Sequence, residues 1–341
     1  MAELRWNPIL RTWTIMASHR QNRPLLEDGQ CPFCPGSGRI PDEFDILAYD
    51  NDFPSLMLDA PLPDIEGDDL APVRPAFGKC EVTLYSPKHD ITLPELPIEH
   101  VERLVEHWEQ RYRAIGSIAG IDFVFIFENR GEAVGVTMIH PHGQIYAYPY
   151  VPLRIKAELD SCDEHFNRKG SCLFCDIMDR ELKDGSRVVY KADGFTAFVP
   201  SFAEYPYQVH IYSESHTGSL SSMTGAERRG LAAAIKCVTG GYDDLFGFPF
   251  PYMMCLHQDP TDTRSYPGYH FHIEFYPPMR SADKIKYNAS SETGAWATIN
   301  PTVPEEKAAE LRSTIGARRE ALEAEKKTGT DGGANIEAGG D

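Results

Sequence analysis

One pattern occurs twice in this chain of 341 residues, and it constrains the fold more than any other feature. The first copy has Cys31 and Cys34 in a CxxC pair, then His89 in Ser-Pro-Lys-His, then His140-Pro-His142-Gly-Gln144. The second has Cys172 and Cys175, then His216 in Ser-Glu-Ser-His, then His270-Phe-His272-Ile-Glu274. The lone histidine precedes the His-x-His pair by 51 positions in the first copy (89 to 140) and by 54 in the second (216 to 270). Four features recurring in one order mark an internal repeat. The expected fold class is α+β: two fused units, each an antiparallel sheet with flanking helices. We place the first unit at residues 1–155 and the second at 156–304. Residues 305–341 are then a charged helix followed by a disordered Gly/Asp/Ala-rich end.

Local patterning agrees. Apolar alternation or short apolar runs predict strands at 13–16, 80–86, 123–128, 139–149, 207–213, 251–257 and 269–276. Leu104, Trp108 and Tyr112, spaced by four, predict a helix over 98–118, and a second helix is predicted over 224–245. Asn129-Arg130-Gly131 reads as a turn, and residues 19–24 as a basic loop.

Structural zinc takes four Cys or His ligands in a tetrahedron. Cys31, Cys34, His89 and His140 supply one such set, and Cys172, Cys175, His216 and His270 another. A single CxxC could equally be a redox pair or two buried thiols, but the duplicated histidine pattern favours metal. The mixture of thiolate and imidazole favours Zn2+ over iron or copper, giving two closed structural sites per chain. No apolar leader opens the chain, and no run approaches the ~18 apolar residues of a membrane span. The expectations are a cytoplasmic protein with no membrane partner, whose eight cysteines do not form disulfides.

Charge narrows the partners. There are 33 Lys and Arg against 51 Asp and Glu, a net charge of −18, which disfavours nucleic acid as a partner. Residues 27–69 alone hold twelve acids and one base, a solvated acidic face. An anionic ligand would need a local basic cluster.

On a strand, His140, His142 and Gln144 would share one face. If His140 binds zinc, a closed site leaves His142 over. With Nδ1–H held by a carbonyl, its Nε2 lone pair is a nucleophile. Gly143 would let a phosphate approach the backbone, and Gln144 could donate to a phosphate oxygen. A core or metal-binding histidine is the competing reading.

His-Pro-His-Gly-Gln after Phe-Glu-Asn-Arg-Gly resembles the active-site segment of the galactose-1-phosphate uridylyltransferases, members of the histidine triad superfamily. The resemblance spans roughly residues 4–300 and includes Trp6-Asn7-Pro8, Ser18-His19-Arg20, Asn51-Asp52-Phe53-Pro54 and Phe275-Tyr276-Pro277-Pro278. It implies that His142 attacks the α-phosphorus of UDP-glucose, expels glucose 1-phosphate, and passes the uridylyl group to galactose 1-phosphate in a ping-pong reaction. It implies that Gln144 holds a non-bridging phosphoryl oxygen. Asn51 and Asp52 would recognise the nucleoside, and Arg20, Arg23, Asn129 and Thr137 the phosphates. Glu292 would bind hexose hydroxyls. The partners implied are a nucleotide sugar, a hexose 1-phosphate and a second copy of the chain.

Many family members also carry a metal site of one carboxylate and three histidines. Here Glu274 replaces the last histidine, so the resemblance implies that this site does not form as such, although His257 and His272 remain. The second Cys2His2 set is similar to a divergent branch that releases sugar phosphate from ADP-glucose with phosphate. An ADP-sugar phosphorylase or hydrolase is therefore the alternative, and a zinc-stabilised nucleotide-binding protein without catalysis a further one.

Overall fold

The computed structural model describes residues 2–22, 31–136 and 138–331. Arg23, Thr137 and the Gly/Asp/Ala-rich end from 332 lie outside the described residues.

The chain opens with a hairpin of β1 (Ala2–Asn7) and β2 (Thr12–Ala17), across which the rings of Trp6 and Trp13 meet at 5.2 Å. The strands β3 (Leu47–Asp50), β4 (Val73–Pro75) and β5 (Lys79–Leu84) follow, and β4 adds to β1. Helix α1 (Ile98–Gly116) buries Val101, Leu104, Val105, Trp108, Tyr112 and Ile115, one stripe of a 3.6-residue period. Strands β6 (Phe123–Arg130) and β7 (His142–Tyr148) complete the first unit.

Helices α2 (Leu153–Lys169) and α3 (Leu173–Asp184) open the second. Then come β8 (Val188–Ala192), β9 (Phe195–Phe198), β10 (Val209–Ser213), α4 (Gly225–Phe246), β11 (Tyr252–His257) and β12 (His272–Tyr276). Helix α4 starts at a reciprocal cap: Thr224 Oγ1 accepts from the Glu227 N–H, and Glu227 accepts from the Thr224 N–H. A short ribbon of β13 (Met279–Ser281) and β14 (Lys284–Ile285), a six-residue helix α5 (Ser290–Ala295) and a long helix α6 (Pro304–Asp331) follow.

Nine strands form one antiparallel sheet in the order β3-β5-β7-β6-β11-β12-β10-β9-β8. The units meet where β6 pairs with β11, Arg130 opposite Tyr252 and Ile126 opposite Leu256. The order β5-β7-β6 on one side is mirrored by β10-β12-β11 on the other, and α1 lies between β5 and β6 in sequence as α4 lies between β10 and β11. The repeat read from the cysteines and histidines is thus a repeat of structure.

Strand alternation sends Val124, Ile126, Ile145, Ala147, Met254, Leu256, Ile273 and Phe275 into the main core with residues of α1, α4 and α6. Trp108, 1% exposed, is among its largest side chains; its removal would cost about 3–5 kcal/mol. The opposite face carries Phe125, Phe127, His142, Gln144, Tyr146 and Tyr148. In the second unit α2 and α3 pack Ile155, Leu159, Phe174 and Met178 with Phe198 and Tyr212 on that face.

Two local expectations change. Residues 129–131 are not all turn: Asn129 and Arg130 still pair with β11, and the chain leaves the sheet at Gly131, whose φ of 90° suits glycine. His140 does not share a pleat with His142, because β7 begins at His142 and His140 lies in the bend before it.

Candidate active site and metal centres

His142 and Gln144 are alternate residues of β7, both half-buried on the sheet face away from the main core. The His142 Nδ1–H donates to the His140 carbonyl at 2.8 Å. A carbonyl only accepts, so Nδ1 holds the proton and the lone pair sits on Nε2. Phe33 meets the His142 ring edge-on at 5.5 Å. A cavity of about 520 Å³ opens here, lined among others by Thr92, Asn129, Gly131, Met138 and His142.

Arg20 stands in a 3-10 turn, Ser18–Asn22, directly after β2. Its Nη1 donates to Ser55 Oγ at 2.6 Å and to Tyr146 Oη at 3.0 Å. Tyr146 is two residues beyond Gln144 on the same face, so the structure brings this guanidinium to the strand of His142. Asn51 and Asp52 follow β3 at the sheet's edge. The Asn51 carboxamide oxygen accepts from the Phe53 N–H at 2.9 Å, and Asp52 pairs with Arg39 at 2.5 Å.

Glu292 is not brought to this cavity. It caps α5, accepting from the Ala289 N–H at 3.1 Å, with Lys286 Nζ 3.6 Å away. It lines a separate cavity of about 680 Å³ with Phe125, Tyr148, Arg154, His257 and Trp296. The two cavities share no lining residue.

Cys31, Cys34, His89 and His140 gather their ligand atoms within 4.8 Å of one another, as do Cys172, Cys175, His216 and His270. Cys34 Sγ lies 3.4 Å from His89 Nδ1 and 3.7 Å from His140 Nδ1; Cys175 Sγ lies 3.7 Å from His216 Nδ1 and 3.4 Å from His270 Nδ1. Tetrahedral Zn–S and Zn–N bonds put such atoms roughly 3.5 Å apart. Each site also orients one imidazole from behind. His140 Nε2–H donates to the Ser86 carbonyl at 2.8 Å, and His270 Nε2–H to the Ser213 carbonyl at 3.0 Å. Nδ1 then faces the ligand cluster as an acceptor. Burial pushes the His140 imidazole down, toward the neutral form that a metal needs. Both clusters could hold a metal ion.

A third cluster adds to the sequence reading. Glu158, His257, His272 and Glu274 also lie within 4.8 Å of one another and could hold a metal ion. The replacement of a histidine by Glu274 does not scatter the group, because α2 supplies Glu158. Glu158 accepts from His257 Nδ1 at 3.0 Å and from Tyr269 Oη at 2.8 Å. Burial opposes charge on His257, but the Glu158 and Glu274 carboxylates beside it raise its pKa well above the usual range. His272 repeats the geometry of His142, donating Nδ1–H to the His270 carbonyl at 2.9 Å, yet it is fully buried among these carboxylates.

Gly143 has a different reason from the one expected. A Cβ there would lie 2.3 Å from Tyr85 Oη and 3.1 Å from the Phe127 carbonyl. Alternation turns that position toward the core, away from the face that bears His142. The glycine makes room for Tyr85 rather than for a phosphate. Neither Tyr85 nor the buried Glu128 below it was singled out by the sequence, where they look like ordinary members of two strands.

Comparison with known proteins gives the family. Residues 1–152 match the family model described as galactose-1-phosphate uridyl transferase, N-terminal domain, and residues 158–295 match its C-terminal domain. The chain belongs to the galactose-1-phosphate uridylyltransferase family. A family member named galactose-1-phosphate uridylyltransferase from Thermotoga maritima is 40% identical over 318 residues, 92% of this chain and 99% of that protein. Another of that name from Haemophilus influenzae is 31% identical, over 84% of this chain and 87% of its own. The solved structure of a uridylyltransferase superposes with a TM-score of 0.85 at 33% identity, covering 92% of this chain and 99% of that one. An ADP-glucose phosphorylase from Arabidopsis thaliana shares the fold, with a TM-score of 0.71 at 23% identity over 92% of this chain and 99% of its own. Among the described residues no helix is long and apolar enough to cross a membrane.

Proposed function

We propose that the chain exchanges UDP-glucose and galactose 1-phosphate for glucose 1-phosphate and UDP-galactose through a uridylyl-histidine at His142. The observation that carries the reading is the 2.8 Å bond from His142 Nδ1–H to the His140 carbonyl. It directs the Nε2 lone pair outward from a rigid support, on the same strand face as Gln144. Nε2 attacks the α-phosphorus, a P–N bond forms, and the P–O bond to glucose 1-phosphate breaks. A phosphate oxygen of galactose 1-phosphate then attacks the adduct, the P–N bond breaks, and neutral imidazole returns. A sugar phosphate leaves readily as an anion, so no strong general acid is required. Gln144 donates to a non-bridging oxygen as charge develops there. Arg20 and Asn129, with Arg23 and Thr137, hold the phosphates, and Asn51 and Asp52 the nucleoside.

In this reading the two Cys2His2 clusters hold structural Zn2+, and the units divide near residue 155. The chain works as a cytoplasmic homodimer. Tyr287 and Trp296, 76% and 62% exposed, flank Glu292 on a segment that a second copy would cover, bringing its carboxylate to the partner's hexose.

Intact-mass spectrometry tests the chemistry. Protein mixed with UDP-glucose, with glucose 1-phosphate removed as it forms, should gain one acid-labile uridylyl group on His142, and His142→Asn should gain none. An adduct from ADP-glucose alone would instead support an ADP-sugar phosphorylase. Absence of any adduct on zinc-replete, folded protein would overturn the covalent mechanism.

A further inference from the structure

The segment that carries the nucleophile rests on one short stretch of chain. The Ser86 carbonyl holds His140, and the Tyr85 N–H donates to the Pro141 carbonyl at 3.0 Å. Leu84 pairs with His142 and Thr83 with Gly143. The Tyr85 side chain then turns under the strand and places its hydroxyl against Gly143. That phenol is itself fixed. Its ring packs edge-on against Trp108 at 5.9 Å, and the Tyr85 carbonyl accepts from His100 Nε2–H at 2.6 Å.

Below it lies a buried acid that the uridylyl-transfer chemistry does not use. Glu128 is 5% exposed, on the core-facing side of β6, and its Oε1 accepts from Tyr252 Oη at 3.3 Å. Neither Glu128 Oε2 nor Tyr85 Oη has a hydrogen-bond partner among the described residues. Phe127 pairs with Gln144, so Glu128, the next residue of β6, comes opposite Gly143 and turns its carboxyl to the same core-facing side as the Tyr85 hydroxyl. Two buried polar atoms left without partners are costly, and native structures rarely keep them without a use. Here both sit directly beneath the residue between His142 and Gln144.

We infer that Tyr85 is a positioning residue, whose hydroxyl, backed by Glu128, sets the height of the strand at Gly143 and thereby the reach of His142 and Gln144 toward the transferred phosphoryl group. Tyr85 and Gly143 are a matched pair: the hydroxyl occupies the space that a Cβ at 143 would fill. The Tyr252 hydroxyl, donating to Glu128, holds the carboxyl in place.

The inference rests on the uridylyl-transfer reading for its kinetic test and has a second readout that does not. Single-turnover adduct formation from UDP-glucose would be compared for wild type, Tyr85→Phe, Gly143→Ala and the double variant. A displacement near 1 Å can cost about 100-fold in rate, which is the loss expected for Gly143→Ala with zinc content retained. Tyr85→Phe should lower the rate constant about 3–10-fold while half-saturation by UDP-glucose stays unchanged. The double variant should regain part of that loss over Gly143→Ala, because the oxygen at 2.3 Å is gone while the ring carbon at 3.0 Å and the Phe127 carbonyl at 3.1 Å remain. A double variant no faster than Gly143→Ala would overturn the pairing, as would a Gly143→Ala protein as fast as wild type. If wild type forms no adduct, the function is wrong, and the pairing is still read in thermal midpoints. The stability loss of Gly143→Ala must then shrink in the Tyr85→Phe background; additive losses overturn the inference.

Discussion

Whether an imidazole can act as a nucleophile depends on where its proton sits, and in this chain a backbone carbonyl two residues upstream decides it. The neighbouring buried acid makes a pH prediction. Burial raises the Glu128 carboxyl to about 7, against a smaller opposing pull from Arg130 and the hydroxyls of Tyr252 and Tyr85; Asp243, paired to Arg130, pushes it further up. A folded-state value above the unfolded one means that the native protein binds more protons. Its contribution to stability is therefore full below the ordinary carboxyl range and is lost as pH rises through about 7. The slope is at most about 1.4 kcal/mol per pH unit. Glu128→Gln should flatten that decline, seen as denaturation midpoints that gain on wild type as pH rises from about 4.5 to about 7. Parallel midpoints for the two proteins across this range would refute it. At this scale the sequence was informative where chemistry is local. His142, Gln144 and six of the eight candidate ligands stand in CxxC or His-x-His motifs, and the structure gathers the eight into two clusters that could hold a metal ion. Gly143 was misread because its constraint comes from Tyr85, on a strand that is adjacent only after folding.

Strands and helices with strong patterns were legible too. Helix α1 was expected over 98–118 and runs Ile98–Gly116; α4 was expected over 224–245 and runs Gly225–Phe246. Helices α2 and α3 were not foreseen. In α2 only Ile155, Leu159 and Cys162 are buried, too sparse a stripe to read among its charges. That omission hid Glu158, and with it the third ligand cluster. The CxxC loop of the first unit does more than offer two thiols to a metal, because Phe33 lies between its cysteines and packs on His142. Cys34→Ser should therefore remove one zinc per chain and also slow adduct formation by tenfold or more, by releasing Phe33 from the nucleophile. Cys175→Ser should remove one zinc and lower the thermal midpoint, with the smaller effect on rate. Elemental analysis beside single-turnover kinetics checks both, and equal rate losses would refute the distinction.

The whole molecule presents His142 beside one cavity and, apart from it, a second cavity that Glu292 lines. If each active centre is completed by the partner's segment, the two kinds of defect complement. Inactive His142→Asn and inactive Glu292→Ala chains, mixed and allowed to exchange, should regain up to a quarter of wild-type activity, because half the dimers are mixed and each has one intact centre. No recovery in a mixture shown to exchange would place Glu292 outside the partner's site.

The seam between β6 and β11 joins two copies of one plan into a single sheet. In an assembly of identical half-length chains, every substitution is made in both copies, so neither can lose the chemistry alone. Covalent joining lifts that restriction. Isoleucine and glutamate follow His272 where glycine and glutamine follow His142, and the twin imidazole is part of a buried carboxylate cluster. With both halves on one polypeptide, one can carry the proposed nucleophile while its twin serves a different part of the molecule.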